Sequence, residues 1–292
     1  MAAAVVSAAA APEVRLDLRS LWFQVTGTLC NLACRHCFNA SGPRDPWLRP
    51  LDAAVVRRGL REAGALGVKE VYFTGGEPFL HPDLLALVEE ALAVAPATVL
   101  TSGTLVDDAM ADRLAALAAG SPYSLEIRVS LDADTAVEND AVRGRGAFER
   151  ALGAVIRLDA RGLPPIVTAT GIATTPAAGP GLHERLRAML LAAGVRRPRV
   201  KILPVLPLGR CAGRGDDRRL EPGDLDGLDV SGLPCAESRV VADGGVYACP
   251  ILAGLPEARL APARVADALG PARLSHRACV TCLETGISCQ NP

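Results

Sequence analysis

The chain has 292 residues, half of them apolar, and its 31 basic and 32 acidic side chains leave a formal net charge of −1. That length and apolar content support a core larger than one small domain needs, while balanced charge offers no long-range pull on nucleic acid or an anionic membrane. No stretch reaches the roughly 20 apolar residues of a spanning helix, and the alanine-rich start, Met1 to Pro12, lacks the basic region of a signal peptide. The expectation is a soluble, cytoplasmic protein with neither nucleic acid nor membrane as partner.

Residues 1–14 read as a disordered tail, after which strands alternate with helices. Leu21 to Thr26 reads as a strand, and Asp52 as the N-cap of a helix that runs to Leu66 and stops at Gly67. Lys69 to Thr74 is an apolar strand followed by a helix over His81 to Val94. Thr98 to Thr101 is a strand, and Asp107 to Ala119 a helix with an aspartate cap. Two further pairs and a last strand follow: strand Leu125 to Leu131 with helix Ala147 to Arg161, strand Ile166 to Ile172 with helix Gly181 to Ala193, and strand Arg199 to Val205.

This is the α/β pattern of a parallel sheet with about six strand–helix units. Right-handed crossovers curl such a run into a partial (β/α)6 TIM-like barrel, with ligand chemistry at the C-terminal strand ends. A doubly wound open sheet fits the same periodicity. The barrel is expected over residues 15–210, a Gly/Asp/Arg-rich linker over 211–234, and a small Cys-rich extension over 235–292. Within that extension, Asp243-Gly244-Gly245 marks a hairpin between two short strands. The extension has little apolar material of its own, and segments of that kind often need a metal to fold.

The nine cysteines are clustered: three lie between positions 30 and 37, and six lie beyond position 210. Structural disulfides are disfavoured in a reducing cytosol, so metal ligation or catalysis is the leading account. Cys30, Cys34 and Cys37 share one short loop directly after the first strand. Three thiolates can hold three irons of a cubane and leave the fourth open. Zinc is the alternative, with His36 as a fourth ligand.

The spacing C-x3-C-x2-C, with the His36 ring just before the last cysteine, resembles the signature of the radical S-adenosylmethionine (SAM) superfamily. The resemblance implies that Cys30, Cys34 and Cys37 bind a 4Fe–4S cluster whose open iron is chelated by SAM. Reductive cleavage then yields a 5′-deoxyadenosyl radical that abstracts a hydrogen atom. Gly75-Gly76-Glu77-Pro78, ending the second strand, resembles the family's GGEP element, in which exposed carbonyls and the glutamate suit the SAM ammonium group. Ser102 in Thr101-Ser102-Gly103-Thr104, and Ser130 with Asp132, end the next two strands and match positions that contact SAM. Arg143-Gly144 resembles an Arg-Gly stretch whose arginine pairs with the SAM carboxylate. Leu206-Pro207-Leu208-Gly209-Arg210 resembles a Pro-x-Gly-Arg element found near SAM.

Cys235, Cys249 and the pair Cys279-Val280-Thr281-Cys282 resemble the Twitch or SPASM extension of many such enzymes. In the shorter version these four residues hold one auxiliary 4Fe–4S cluster. Zinc remains the structural alternative. Cys289 is a possible replacement ligand, and Cys211 reads as a small buried residue. The resemblance implies an oxidoreductase that modifies a C–H bond of a peptide or protein, in the manner of a maturase. Dehydrogenation of a sugar or aminocyclitol is the second reading. A flavodoxin or ferredoxin is the expected electron donor. A non-catalytic iron–sulfur carrier is the reading from another class, although it has no use for an open iron or the Gly75–Glu77 element.

Overall fold

The computed structural model describes residues 11–44, 46–171, 181–215 and 217–287. After a short strand β1 (Glu13–Val14) come β2 (Ser20–Gln24), α1 (Ala53–Leu66), β3 (Glu70–Thr74), α2 (Leu84–Leu92), β4 (Ala97–Thr101) and α3 (Asp108–Ala119). Then follow β5 (Leu125–Ser130), α4 (Ala136–Arg143), α5 (Ala147–Ala160), β6 (Ile166–Thr170), α6 (Leu182–Ala192) and β7 (Arg199–Leu203). The C-terminal part holds α7 (Pro234–Glu237), β8 (Ser238–Ala242), β9 (Gly245–Tyr247), β10 (Arg259–Ala261), β11 (Ala272–Arg273) and α8 (Ala278–Thr285).

Strand order decides between the two architectures that periodicity leaves open. β2 to β7 are parallel and lie side by side in strict chain order. A doubly wound sheet reverses direction at a switch point, whereas an unbroken order sends every crossover to one face, as in a partial barrel. Alternation along the strands agrees. Leu21, Phe23, Val71, Phe73, Val99, Ile127, Val129 and Val167 join the helices in one apolar core. Trp22 and Tyr72, paired across β2 and β3, stack on the other face with ring centroids 4.0 Å apart.

Local signals explain most boundaries. Gly67 ends α1 in the left-handed conformation at φ 70. Asp107 caps α3 by accepting from Met110 N at 2.8 Å. α2 starts three residues later than expected, because Pro78–Leu80 form a 3₁₀ turn and the His81 ring is engaged. Its Nε2 lies 2.9 Å from Leu51 O, and its Nδ1 accepts from Asp83 N. α4 is an addition to the expected list: its buried positions are Asn139 and Arg143, so no apolar stripe announces it. Its start is nevertheless marked by Thr135, whose hydroxyl accepts from Glu138 N.

The two ends of the chain differ from expectation. Glu13–Val14 pair antiparallel with Ala272–Arg273, and Val14 is buried, so the tail is anchored before residue 15. The hairpin of β8 and β9 does not stand alone. β8 runs parallel to β2, with Ser20 opposite Ser238, and so prolongs the barrel sheet. The extension overcomes its shortage of apolar residues by sharing a second core with the barrel. That core joins Trp22 and Tyr72 to Leu220, Leu233, Val240, Tyr247, Leu252 and Leu274. The stretch expected as a linker therefore contributes Leu220 and Leu233 to it. Among the described residues no helix is long and apolar enough to cross a membrane.

Candidate cluster and cofactor site

At the C-terminal ends of β3 to β7 lies a cavity of about 220 Å³ that opens to solvent. Cys30, Cys34 and Cys37 form part of its wall, together with His36, Gly75, Gly76, Ser102, Ser130 and Arg143. The loop carrying the cysteines is shaped for sulfur ligands. Leu32 N points at Cys30 Sγ from 3.4 Å, and Ser41 N points at Cys37 Sγ from 3.3 Å. Such contacts favour thiolates over thiols. Burial acts the other way and pushes the Cys30 thiol up to about 12, so a cation must replace the proton before that sulfur ionises near neutral pH. An iron–sulfur cluster meets that requirement.

The loop is braced from two sides. From below, Arg210 donates to Cys34 O at 2.9 Å, Ser41 O at 2.8 Å and Ala40 O at 3.1 Å, while its own N donates to Cys37 O. Gly209 makes this approach possible: at φ 52, an added Cβ would run into the carbonyls of Cys37 and Phe38. From the side, Gly76 is packed against Leu29 O and the Cβ of Cys30, where any side chain would collide. The glycines of the GGEP stretch therefore serve close approach to the cysteine loop, and they leave backbone at the cavity wall.

Glu77 and Pro78 do not reach that wall. Glu77 is fully buried behind it. Its Oε1 accepts from Thr101 Oγ1 at 2.7 Å and Phe79 N at 3.2 Å. Its Oε2 accepts from Ser102 N at 2.8 Å and Ser102 Oγ at 2.6 Å. Burial raises its pKa and these four donors oppose the rise. Glu77 thus ties the end of β3 to the end of β4, and the carboxylate expected for an ammonium group is spent on the protein itself. Pro78, itself buried, opens the 3₁₀ turn.

Asp132 is likewise set back from the cavity, fully buried. Its Oδ2 lies 2.8 Å from Arg143 Nε and 2.9 Å from His36 Nε2. Its Oδ1 accepts from Thr170 N at 2.8 Å and Thr170 Oγ1 at 3.0 Å. Burial would raise its pKa, but Arg143, His36 and the Thr170 N–H hold it well below the ordinary carboxylate range. Within the protein its carboxylate has an anchoring role. Asp132 fixes Arg143 and His36, and those two side chains face the cavity. Arg128, Thr168, Thr170 and Ile287 also belong to the wall without having been expected there. The strand register contained a signal for Thr168, which lies directly opposite Ser130. Ile287, just beyond α8, brings the C-terminal extension into the same cavity.

A second, largely apolar cavity is lined by Cys235, Cys249, Cys279 and Cys282, residues scattered over the last part of the sequence. Burial pushes the Cys279 thiol up to about 12, and those of Cys235 and Cys249 rise for the same reason. Among the described residues no three Cys, His, Asp or Glu side chains are grouped tightly enough for a single metal ion. A cubane, which spreads its thiolates over separate irons, suits both cysteine sites better than zinc does. Cys211 is buried beside the Arg210 turn and lines neither cavity. Cys289 lies outside the described residues.

Known proteins agree with this geometry. The chain is similar to the mycofactocin maturase of Mycolicibacterium smegmatis, with 29% identity over 76% of this chain and 62% of that protein. It is also similar to the pre-heme d1 synthase of Dinoroseobacter shibae, 39% identical over 46% of this chain and 32% of that protein. The PqqA peptide cyclase of Ruegeria pomeroyi is 34% identical over 46% and 35%. The chain spans less than two thirds of the length of these relatives. Among solved structures, anSMEcpe with bound AdoMet and a Cp18Cys peptide superposes with a TM-score of 0.58 at 15% identity. It covers 83% of this chain and 76% of that one, and it carries the same fold. Residues 25–199 match the model of the radical SAM superfamily. The chain belongs to that superfamily, whose cofactors are a 4Fe–4S cluster and SAM.

Proposed function

We propose that this protein is an enzyme that cleaves SAM reductively and oxidises a C–H bond of a peptide or protein substrate. The observation that carries the reading is the shared cavity, in which the three-cysteine loop, the Gly75–Gly76 edge, Arg143 and the ends of β5 to β7 meet Ile287 of the extension. Cys30, Cys34 and Cys37 would hold the cluster with one iron left open. Bound there, the cluster and SAM supply a 5′-deoxyadenosyl radical that abstracts a substrate hydrogen atom. Arg143, held by Asp132, presents a fixed cation suited to the SAM carboxylate. Leu32, Leu100, Leu203, Val205 and Leu206 give the wall an apolar side that keeps water from a reactive centre.

Cys235, Cys249, Cys279 and Cys282 would hold the auxiliary cluster. Four protein ligands leave no iron for a substrate, so this site suits acceptance of the electron released in a net oxidation, with flavodoxin or ferredoxin as the external donor. The maturase and peptide cyclase relatives support a peptide substrate. The similarity to pre-heme d1 synthase favours a second reading, oxidation of a small molecule.

The test is mass-spectrometric detection of 5′-deoxyadenosine after anaerobic reconstitution and reduction with SAM. Formation by wild type and its loss in Cys34→Ala are expected. Absence of 5′-deoxyadenosine from fully iron-loaded wild type, with candidate peptides and small molecules supplied, would leave an electron carrier as the better reading.

A further inference from the structure

Arg239 sits on β8 with no solvent exposure. Among the described residues its guanidinium donates only to backbone carbonyls. Nε reaches Ala268 O at 2.8 Å, and Nη2 reaches Gly270 O at 2.6 Å. Nη1 reaches Ser238 O at 2.7 Å, Cys235 O at 2.9 Å and Ala248 O at 3.2 Å. Two of these carbonyls belong to a cysteine of the auxiliary site or to its neighbour, since Ala248 precedes Cys249.

Among the described residues no carboxylate pairs with Arg239. Arg143, the buried cation at the first cysteine loop, has Asp132 at 2.8 Å. Burying a charge without a counter-charge is strongly unfavourable, and five carbonyl dipoles satisfy the donors without neutralising the cation. Its Nη1 contacts hold it against the backbone of Cys235 and of Ala248, the residue before Cys249. The anion that Arg239 lacks is thus the one the cysteine site would acquire on loading.

We propose that Arg239 is the built-in counter-cation of the auxiliary cluster: it staples the Cys235 and Cys249 segments together and favours the cluster's reduced state. The inference rests on the reading of Cys235, Cys249, Cys279 and Cys282 as cluster ligands. Four thiolates leave an oxidised 4Fe–4S cluster with two net negative charges, and reduction adds one electron from the donor with no bond made or broken. A buried cation stabilises the more negative form, so removing it makes reduction harder. Arg239 is in this sense a positioning residue and acts on substrate only through the cluster.

The test is an EPR-monitored dithionite titration of the reconstituted full chain, with iron counted per chain, in wild type, Arg239→Lys and Arg239→Gln. The relevant signal is the one that SAM addition leaves unchanged. R239K keeps wild-type iron and potential because it keeps the charge. R239Q either disfavours reduction at least tenfold, about 59 mV for one electron, or loses half the iron while its SAM-responsive signal persists. R239Q with wild-type iron and potential would overturn the proposal. So would R239K that is as impaired or as insoluble as R239Q, because packing and not charge would then be decisive. A wild-type chain holding a single cluster defeats the auxiliary-site reading itself, and this inference with it.

Discussion

Replacing Glu77 separates the role its motif suggests, a ligand for the SAM ammonium group, from the one its surroundings give it, a brace within the protein. The carboxylate is fully buried and accepts four hydrogen bonds, two of them from the backbone N–H groups of Phe79 and Ser102. Glu77→Ala leaves those donors buried without an acceptor and opens a void, which costs about 3–5 kcal/mol. In a chain of this size the midpoint of thermal unfolding falls by about 10 °C. Glu77→Gln keeps one oxygen and turns the other into a donor that must face a donor, so it costs about 1–3 kcal/mol. The assay is denaturant unfolding of the metal-free protein, paired with SAM binding by the reconstituted protein. A brace loses stability in the metal-free protein, where SAM plays no part. E77Q that unfolds like wild type but binds SAM far more weakly would refute the brace and restore the ligand role.

Asp132→Asn removes the anchor of Arg143 and His36 and lowers stability by about 3–5 kcal/mol at pH 7. The folded carboxylate titrates below its unfolded value, so its contribution is complete above the usual carboxylate range and is lost as pH falls below about 4. Urea unfolding of metal-free wild type and D132N at pH 7 and pH 3 checks this, because the gap narrows at pH 3; an equal gap at both would rule it out. Gly209→Ala forces a Cβ onto the carbonyls of Cys37 and Phe38 at a left-handed backbone position, at about 1–3 kcal/mol. It displaces the cysteine loop, so iron loading at that site and SAM binding fall, while the auxiliary cluster's EPR signal stays. Cys249→Ala and Cys282→Ala reverse that pattern: half the iron is lost and SAM cleavage continues. Full iron content in either variant would remove those residues from the cluster.

Much of the site is readable in one dimension because its chemistry is local. Three cysteines within eight residues can reach one cluster whatever surrounds them, and Gly75–Gly76 directly follow a strand whose end faces the cavity. The strand–helix alternation likewise declares a parallel α/β fold, since periods of 2 and 3.6 are set by backbone geometry. Other roles are relational. The motif at Gly209-Arg210 is visible in the sequence, but nothing in it says that Arg210 grips carbonyls of a loop about 170 residues earlier. Helix α4 escapes pattern reading because its buried positions are Asn139 and Arg143 rather than an apolar stripe.

By itself, then, the sequence determined the type of fold, the family, and which cysteines stand close enough in the chain to share one loop. Tertiary structure decided which donors the carboxylates of the site engage. Glu77 and Asp132 sit inside motifs that suggest cofactor contact, yet both are fully buried and committed to donors from neighbouring strand ends. It also decided that the extension's β8–β9 hairpin joins the barrel sheet, because β8 pairs with β2 and packs in a common core with Trp22 and Tyr72. The physical reason is the same in each case. Ligand type and spacing are properties of a short segment, whereas burial and partner choice depend on which distant strand ends the fold brings within about 3 Å of one another.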